Sequence, residues 1–357
     1  MSAEQEVEPG AARLLEELRR ATGDAELQYA SGPTAIAGGL SGAGIFAFEL
    51  TSGDPRFAGP LVVRIGTGDE QDKLREIALM EAASELGACV PSVRFVGDLG
   101  EGAGGRFVIT ERLPGGTLWR WSSTLFGASV LAALLLWNVW VAVAGALLAS
   151  AAVGIAMGQQ WQRLHALSLL DVEAIYEKHG LTEADVDIAT WFDRMDAHIA
   201  AEQLDSYREG LTWLRAHAPE RARPSLCHGD LHAGNVMATW TRVVGVIDWE
   251  NARVAEPELD IAGMRYVVTI AGSFLLPMYW CYLAYCRAVD HVDAERLRYY
   301  EALRTLYQLV HFTHVFIEAV RSDDATPMPA PVMKRVLHRH AARFRTLTGV
   351  AAAPPAL

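Results

Sequence analysis

The residues best suited to chemistry lie in one short stretch, 226–250, which reads L-C-H-G-D-L-H-A-G-N-V-M-A-T-W-T-R-V-V-G-V-I-D-W-E. Asp230 is followed five positions later by Asn235, and Asp248 ends the apolar run 243–247, which is typical of a buried strand. Phosphoryl transfer from a nucleotide requires a carboxylate at the attacking hydroxyl and oxygen ligands for Mg²⁺. We therefore predict that Asp230 is the catalytic base and that Asn235 and Asp248 are Mg²⁺ ligands.

The motif H-G-D-L-H-A-G-N, followed by V-I-D-W-E, resembles the catalytic and metal-binding loops of the aminoglycoside phosphotransferase and choline kinase-like family, relatives of the protein kinases. The kinase pattern has an Asp five residues before an Asn and a later D-F-G, whose place is taken here by Asp248-Trp249-Glu250. The resemblance covers most of residues 30–265. It implies an α+β, bilobal protein-kinase-like fold, with a small antiparallel-sheet N-lobe and a mainly helical C-lobe.

The resemblance also implies what the protein binds. The phosphate donor is ATP by default over GTP, and Mg²⁺ is the metal. The acceptor is a hydroxyl of a small molecule, with an aminoglycoside, an aminoalcohol, a macrolide and other hydroxylated metabolites all open. It further implies that Asp260 braces the catalytic loop from below, and we expect the same structural role for His228.

The N-lobe is predicted to provide the nucleotide site. A glycine-rich hairpin, containing Gly39, Ser41 and Gly42, is expected to bring backbone N–H groups close to the phosphates. The strand 61–65 carries Arg64 where kinases carry a lysine. An arginine can still grip phosphate through its planar fork.

The helix after this strand, predicted over 70–86, offers Glu76 as the partner of Arg64, with Glu81 second. By resemblance, the backbone at Glu111 to Leu113 forms the hinge that meets the adenine edge. The predicted division is a tail and helix over 1–24, with 1–10 disordered, an N-lobe over 25–113, a C-lobe over 114–350 and a disordered tail over 351–357.

Composition excludes some partners and leaves others open. The chain has 357 residues, with 31 basic and 43 acidic side chains and a net charge of -12, which argues against nucleic acid held through its phosphates. This charge would suit a cationic acceptor, and carboxylates at 193, 196 and 202 could bind an amine, but acidic surfaces usually serve solubility. The four cysteines show no metal or disulfide spacing, and the acidic start is unlike a secretory signal. We therefore predict a cytoplasmic protein.

Residues 121–162 contain no Asp, Glu, Lys or Arg. A single membrane crossing here would separate Arg64 from Asp248, so the motif excludes it, whereas two crossings need about 20 residues each. The stretch is open to four interpretations: core helices of the C-lobe, a membrane contact through 124–158, a dimer surface, or a wall for a lipophilic substrate. The membrane contact could be two crossings or a hairpin of two helices that enters one leaflet. Its several tryptophans favour an interface, since indole suits a half-wet boundary.

Two non-enzymatic functions remain as alternatives. A nucleotide-binding pseudokinase is compatible with an arginine at position 64, although the intact Asp230, Asn235 and Asp248 argue against it. A membrane-tethered scaffold could use the uncharged stretch to hold a partner.

Overall fold

The computed structural model describes residues 3–36, 44–65, 70–100, 105–136, 138–321 and 328–355. Its strands are β1 (Gln28–Ala35), β2 (Gly44–Thr51), β3 (Leu61–Ile65), β4 (Val93–Asp98), β5 (Arg106–Glu111), β6 (Gly116–Thr117), β7 (Ser225–Cys227), β8 (Val236–Ala238), β9 (Val243–Val246) and β10 (Arg253–Ala255). Its helices are α1 (Ala3–Thr22), α2 (Glu70–Glu85), α3 (Leu118–Leu135), α4 (Val139–His165), α5 (Leu169–Lys178), α6 (Glu183–Val186), α7 (Ala189–Ala201), α8 (Arg208–Ala216), α9 (Glu258–Ala271), α10 (Leu276–Val289), α11 (Ala294–Arg321) and α12 (Ala330–Thr348). Short 3-10 turns cover Pro55–Phe57, Asp205–Tyr207, Trp249–Asn251 and Ser273–Leu275.

The N-lobe is a five-stranded antiparallel sheet in the order β1-β2-β3-β5-β4. The apolar, β-branched run of β3 places it at the centre, where its neighbours cover both edges. Helix α1 closes one end of the lobe, because Leu14 and Leu18 are buried with Phe48 and Phe57 in the N-lobe core. The prediction of disorder over 1–10 was wrong for residues 3–10, since α1 begins at Ala3, and residues 1–2 lie outside the described residues. The predicted glycine cap is present at Gly23, with φ of 70°.

The C-lobe is mainly helical, so the predicted α+β bilobal fold is confirmed. Its largest buried cluster joins α2 and α4 to the long helix α11 and to the two small sheets β7-β10 and β6-β8-β9. The apolar stretch 266–286 forms the expected helix pair, α9 and α10. The prediction of a disordered tail over 351–357 was wrong for residues 352–353, because Ala352 is buried and Ser206 Oγ donates to the carbonyl of Ala353.

The uncharged stretch folds as α3 and α4, which run antiparallel as a helical hairpin: a Cβ on Gly145 would lie 2.0 Å from Ser129 Oγ. Among the described residues from 119 to 148, none is buried. The second half of α4 is different, since Val153, Met157 and Trp161 lie in the C-lobe core. The interpretation of the whole stretch as core helices is therefore wrong for its first two thirds.

Candidate active site

The predicted catalytic loop is the segment 228–235 between β7 and β8. Its turn depends on Gly229, which has φ of 76° and where a Cβ would lie 2.1 Å from the carbonyl oxygen of Asn251. Asp260, at the start of α9, accepts hydrogen bonds from the amides of His228 (3.0 Å) and Gly229 (2.7 Å). The buried His228 ring lies with Nε2 2.9 Å from the carbonyl oxygen of Ile247. Asp260 and His228 thus hold the loop, in the positions expected of bracing residues.

Asp260 also contacts α4. Its Oδ2 atom lies 3.1 Å from Nε2 of His165, the last residue of that helix. Burial raises the pKa of Asp260 to about 7. The nearby Cys227 thiol donates to the carbonyl oxygens of Ala255 (3.4 Å) and Glu256 (3.3 Å), and burial raises its pKa, so it remains a neutral thiol that packs beneath the loop.

Asp230 faces the cleft between the lobes and is paired with a buried cation. Its Oδ1 atom lies 2.6 Å from Nη2 of Arg304, a residue of α11 with no exposed surface. The guanidinium carbon of Arg304 lies 5.3 Å from the ring centres of both Trp191 and Tyr266. Burial acts to raise the pKa of Asp230, but Arg304 and His232 outweigh it and hold that pKa well below its usual range. Asp230 is therefore ionised at neutral pH.

Three side chains that line the same cavity as Asp230 offer oxygen atoms suitable for a metal, namely Asn235, Asp248 and Glu250. The Asn235 amide nitrogen donates to the main-chain oxygen of Asp230 (3.1 Å), which leaves the Asn235 side-chain oxygen available. Asp248 follows β9 with φ of 71°, an uncommon left-handed conformation for a residue with a side chain. Burial and the neighbouring Glu250 raise the pKa of Asp248. A divalent cation would relieve this repulsion, so the donor set fits Mg²⁺.

Arg64, at the cleft side of β3, is held by three carboxylates. Its Nη1 atom lies 2.6 Å from Glu76 Oε1 and 3.3 Å from Asp248 Oδ1, and its Nη2 atom donates to Glu250. Glu76, on α2, is thus the partner of Arg64, whereas Glu81 pairs with His179 at 2.8 Å. Burial raises the pKa of Glu76 against the opposing effect of Arg64.

The glycine-rich hairpin of the predicted nucleotide site is described only in part. Gly39, Ser41 and Gly42 lie outside the described residues, although the strands on either side of them pair as a hairpin, with the Ile36 amide 2.9 Å from the carbonyl of Ile45.

At the hinge, the Glu111 carboxylate forms an ion pair with Arg94 at 3.0 Å and the Arg112 amide donates to the Pro60 carbonyl. Within the described chain, the cleft cavity is lined by neither Glu111 nor Leu113, so their contact with adenine stays a prediction.

A cavity of about 460 Å³ joins these groups. One end is polar and is lined by Arg64, Glu76, Asp230, Asn235, Asp248 and Glu250. The other end lies between α9 and α11 and is lined largely by apolar and aromatic side chains, with His311: Tyr266, Val267, Ile270, Tyr307, Phe312 and Val315. Arg194 of α7 lies between the ends, donates to the Tyr307 hydroxyl at 2.7 Å and pairs with Asp72.

The acidic residues that could have bound an amine serve other partners. Asp196 pairs with Arg215, and Glu202 with His314 (3.1 Å) and Arg321 (2.7 Å). Asp193 does not line the cavity among the residues that the structure describes.

Several charged groups of the site were missed from the sequence, among them Arg194, Glu250 and Arg304. The signal for Arg304 was a single arginine within the otherwise uncharged run 302–310 of a helix. The acidic residue before it, Glu301, pairs with Arg343 and Arg265, so the buried charge of Arg304 needs a partner elsewhere in the fold.

Comparisons with known proteins agree with this geometry. The family model described as "Phosphotransferase enzyme family" matches residues 34–309. A protein of Ralstonia eutropha JMP134, described as a candidate aminoglycoside phosphotransferase, is 17% identical, with a TM-score of 0.59 over 95% of this chain and 98% of its own.

Two further solved structures share the fold. An aminoglycoside-3'-phosphotransferase of type VIII is 20% identical, with a TM-score of 0.52 over 83% of this chain and 99% of its own. A thermostable mutant of the aminoglycoside phosphotransferase APH(4)-Ia, in ternary complex with AMP-PNP and hygromycin B, is 15% identical, with a TM-score of 0.56 over 90% and 96%. Because the family model covers both the Arg64–Glu76 pair and the loop of Asp230 and Asn235, the chain belongs to the phosphotransferase enzyme family and has its kinase-like fold.

Proposed function

We propose that this protein transfers the γ-phosphate of ATP to a hydroxyl of a small molecule, with Mg²⁺ as the metal. The observation that carries the proposal is the arrangement of Asp230, Asn235 and Asp248 around one end of the cleft cavity, with Arg64 opposite them. These are the parts that phosphoryl transfer requires, and the acceptor hydroxyl would enter beside Asp230. The intact set argues against a pseudokinase.

Asp230 acts on the acceptor hydroxyl. Because Arg304 keeps its carboxylate ionised, Asp230 is a weak base that orients the hydroxyl and takes its proton late, as the transferring phosphoryl group neutralises the oxygen. His232 lies with Nε2 3.7 Å from Asp230 Oδ2, and its Nδ1 accepts the Gly234 amide. His232 therefore presents an N–H to the base and helps to fix its orientation.

Asn235 and Asp248 would hold Mg²⁺, which supplies charge neutralisation at the phosphates when bound. Glu250 is a further carboxylate within the same cluster, and it shares Arg64 with Asp248. When a nucleotide enters, Arg64 can contact its phosphates while Glu76 keeps the guanidinium in place.

The opposite end of the cavity indicates the kind of acceptor. Its lining is apolar and aromatic with Arg194 and His311, and the nearest carboxylates are already paired: Asp72 with Arg194 and Asp230 with Arg304. A polycationic acceptor would bring its ammonium groups close to the Arg194 guanidinium, and the carboxylates nearest to them among the described residues are already paired. We therefore propose a hydroxylated acceptor with an apolar or aromatic body and little positive charge.

The test begins with the melting temperature of the full chain in Mg²⁺ with ATP or GTP. Ligand that binds the folded state raises the melting temperature, by about 2.7 kcal/mol of stabilisation at 100 times its dissociation constant. We expect a metal-dependent rise that Asp248→Ala removes and that Asp205→Ala, a change at an exposed carboxylate, retains. No rise with either nucleotide would overturn the proposal.

Turnover is then measured as ADP release with a panel of alcohols matched in size, half of them cationic and half uncharged. Asp230→Asn should abolish release while the nucleotide-dependent rise persists. Equal turnover by wild type and Asp230→Asn would refute the role of Asp230. Turnover restricted to the cationic alcohols would refute the acceptor class and leave the phosphotransferase assignment standing.

A further inference from the structure

The feature that the phosphotransferase site does not use is the apolar hairpin, which we define as residues 122–148 of α3 and α4. Its large side chains are turned outward: Leu135 is 73% exposed, Trp140 72% and Leu148 72%. The described part of this hairpin contains no charged residue and no buried side chain. Soluble proteins rarely leave so large an apolar surface in water, so a partner or a medium must cover it.

The distribution of exposed residues distinguishes among the coverings. The exposed large apolar side chains of α3 point in directions spread around the helix, since each residue turns it by about 100°: they are Leu125, Phe126, Leu131, Leu134 and Leu135. Apolar surface therefore surrounds the hairpin, whereas a protein partner or a second copy would cover a single face and needs a single stripe. A helix that is apolar all round suits a hydrocarbon environment. Leu118–Leu135 just meets the length and mean hydropathy of a membrane span, at 18 residues and 1.2, and Val139–His165 exceeds both, at 27 residues and 2.2.

The length of the hairpin agrees with the thickness of a bilayer. From Arg120 to the tip at Leu136 the helix rises roughly 24 Å at 1.5 Å per residue. The hydrocarbon core is about 30 Å thick, so the tip passes the midplane and ends several Å short of the far side. A mismatch of that size is accommodated by local thinning of the bilayer. The polar Asn138 and exposed Trp140 then lie near the far interface.

The base of the hairpin has the chemistry of a membrane–water interface. Trp121 contacts Trp240, with ring centres 4.1 Å apart, and Trp240 is 75% exposed. Arg120 and Arg242 are exposed beside these rings along the chain. Tryptophans and arginines at the ends of apolar helices anchor them at the level of the headgroups.

The topology is compatible with a working cleft, because both ends of the hairpin return to the same lobe. Leu118 and Met157 are buried in the C-lobe core together. The catalytic loop and the nucleotide side of the cleft therefore remain on one side of a bilayer that the hairpin enters. A single crossing would have separated them.

From these observations we infer that the apolar hairpin inserts into a lipid bilayer from the side on which the catalytic lobes lie, and anchors the protein there. Flotation of the full chain with phosphatidylcholine/phosphatidylglycerol vesicles in a sucrose gradient tests this inference. Wild-type protein should float with the vesicles and remain bound in 1 M NaCl. The variant Leu135→Lys/Leu148→Lys should lose binding by about 100-fold or more, since an ammonium group in hydrocarbon is costly.

The matched control is Leu170→Lys/Val320→Lys, which places the same charges at apolar positions that are 76% and 60% exposed but lie outside the hairpin. It should float like wild type, and both variants should keep the wild-type circular dichroism spectrum. Wild-type protein that stays at the bottom of the gradient would overturn the inference. So would equal loss of flotation by both variants, or a vesicle-independent dimer that the hairpin lysines dissociate, which would make the surface an interface between copies.

Discussion

Arg304 and Asp230 form an ion pair at 2.6 Å in which the cation is fully buried and the carboxylate faces the cleft. The guanidinium is held between the rings of Trp191 and Tyr266, and Trp191 in turn stacks on Tyr307 at 4.3 Å between ring centres. The carboxylate of Asp230, the proposed base, is thus positioned by an arginine on α11, far along the chain from its loop. This pairing gives Asp230 a structural role beside the catalytic one that we propose for it.

Asp230→Asn should therefore destabilise the protein as well as inactivate it. The substitution leaves the Arg304 guanidinium buried without a counter-charge, which costs about 3 to 5 kcal/mol of unfolding free energy. The double variant Asp230→Asn/Arg304→Met should recover much of this loss, because neither charge remains. Urea unfolding of wild type, Asp230→Asn, Arg304→Met and the double variant measures the coupling energy between the two residues. Additive effects of the two single substitutions would contradict the pairing. Asp205→Asn, which breaks an exposed pair with Arg208, should cost about 1 kcal/mol or less.

The same pair predicts a pH dependence of stability. Because the folded-state pKa of Asp230 lies below its unfolded value of about 3.9, ionised Asp230 contributes stability above that pH. This contribution is lost as pH falls below about 3.9, because Asp230 is protonated in the unfolded chain before it is protonated in the folded protein. The difference in unfolding free energy between wild type and Asp230→Asn should shrink as pH falls from 5 towards 2.5. In an Arg304→Met background this pH-dependent part should be smaller; an equal slope in both backgrounds would refute the assignment.

Arg64→Ala should make the protein more responsive to Mg²⁺ alone. Without the guanidinium, Glu76, Asp248 and Glu250 repel one another, and a divalent cation relieves that repulsion. The melting temperature in MgCl₂ without nucleotide should rise more in Arg64→Ala than in wild type. Arg56→Ala removes an exposed arginine that pairs with Asp54 in the same lobe and should respond like wild type. Identical responses of Arg64→Ala and wild type would show that these three carboxylates do not bind a divalent cation.

Gly158→Ala should loosen the contact between α4 and α10. A Cβ at Gly158 would lie 2.4 Å from the ring of Tyr285, whose hydroxyl donates to Gln162 at 2.9 Å, so the helices must separate. Overpacking of this kind costs about 1 to 3 kcal/mol. Gly127→Ala, at a helical glycine with no atom within 4 Å of the new carbon, should instead stabilise by up to about 1 kcal/mol. Chemical denaturation in detergent measures the unfolding free energy of both variants. A Gly158→Ala variant as stable as wild type would contradict the close packing of α4 and α10.

The sequence was informative where the chemistry is local. Asp230, Asn235 and Asp248 lie within one loop and one strand, so their spacing alone predicted that they meet, and the helix after β3 limited the partner of Arg64 to a few glutamates. Residues brought in from distant helices carried no such signal. Arg194 and Arg304 reach the site through the packing of α7 and α11, which no local pattern specifies.

The uncharged stretch shows a different limit. Hydropathy measures how strongly a segment avoids water, and a protein core and a bilayer satisfy it equally. Residues 149–162 are partly buried in the protein core, whereas 122–148 are not, although the two segments have similar compositions. The structure separates them because Gly154 and Gly158 allow α10 to approach, with a Cβ at Gly154 only 2.7 Å from the Met278 carbonyl oxygen.

Helix α4 connects the two working parts of the molecule. It begins at the hairpin tip and ends at His165, which contacts the Asp260 brace of the catalytic loop, so one continuous rod of roughly 40 Å sets the distance between them. With the hairpin anchored, the cleft would stand at a fixed height and orientation above the surface instead of tumbling freely. Acceptors bound to the membrane would then meet the cleft by diffusion in two dimensions. An acceptor whose hydroxyl cannot extend from the membrane surface to the cleft would not be phosphorylated.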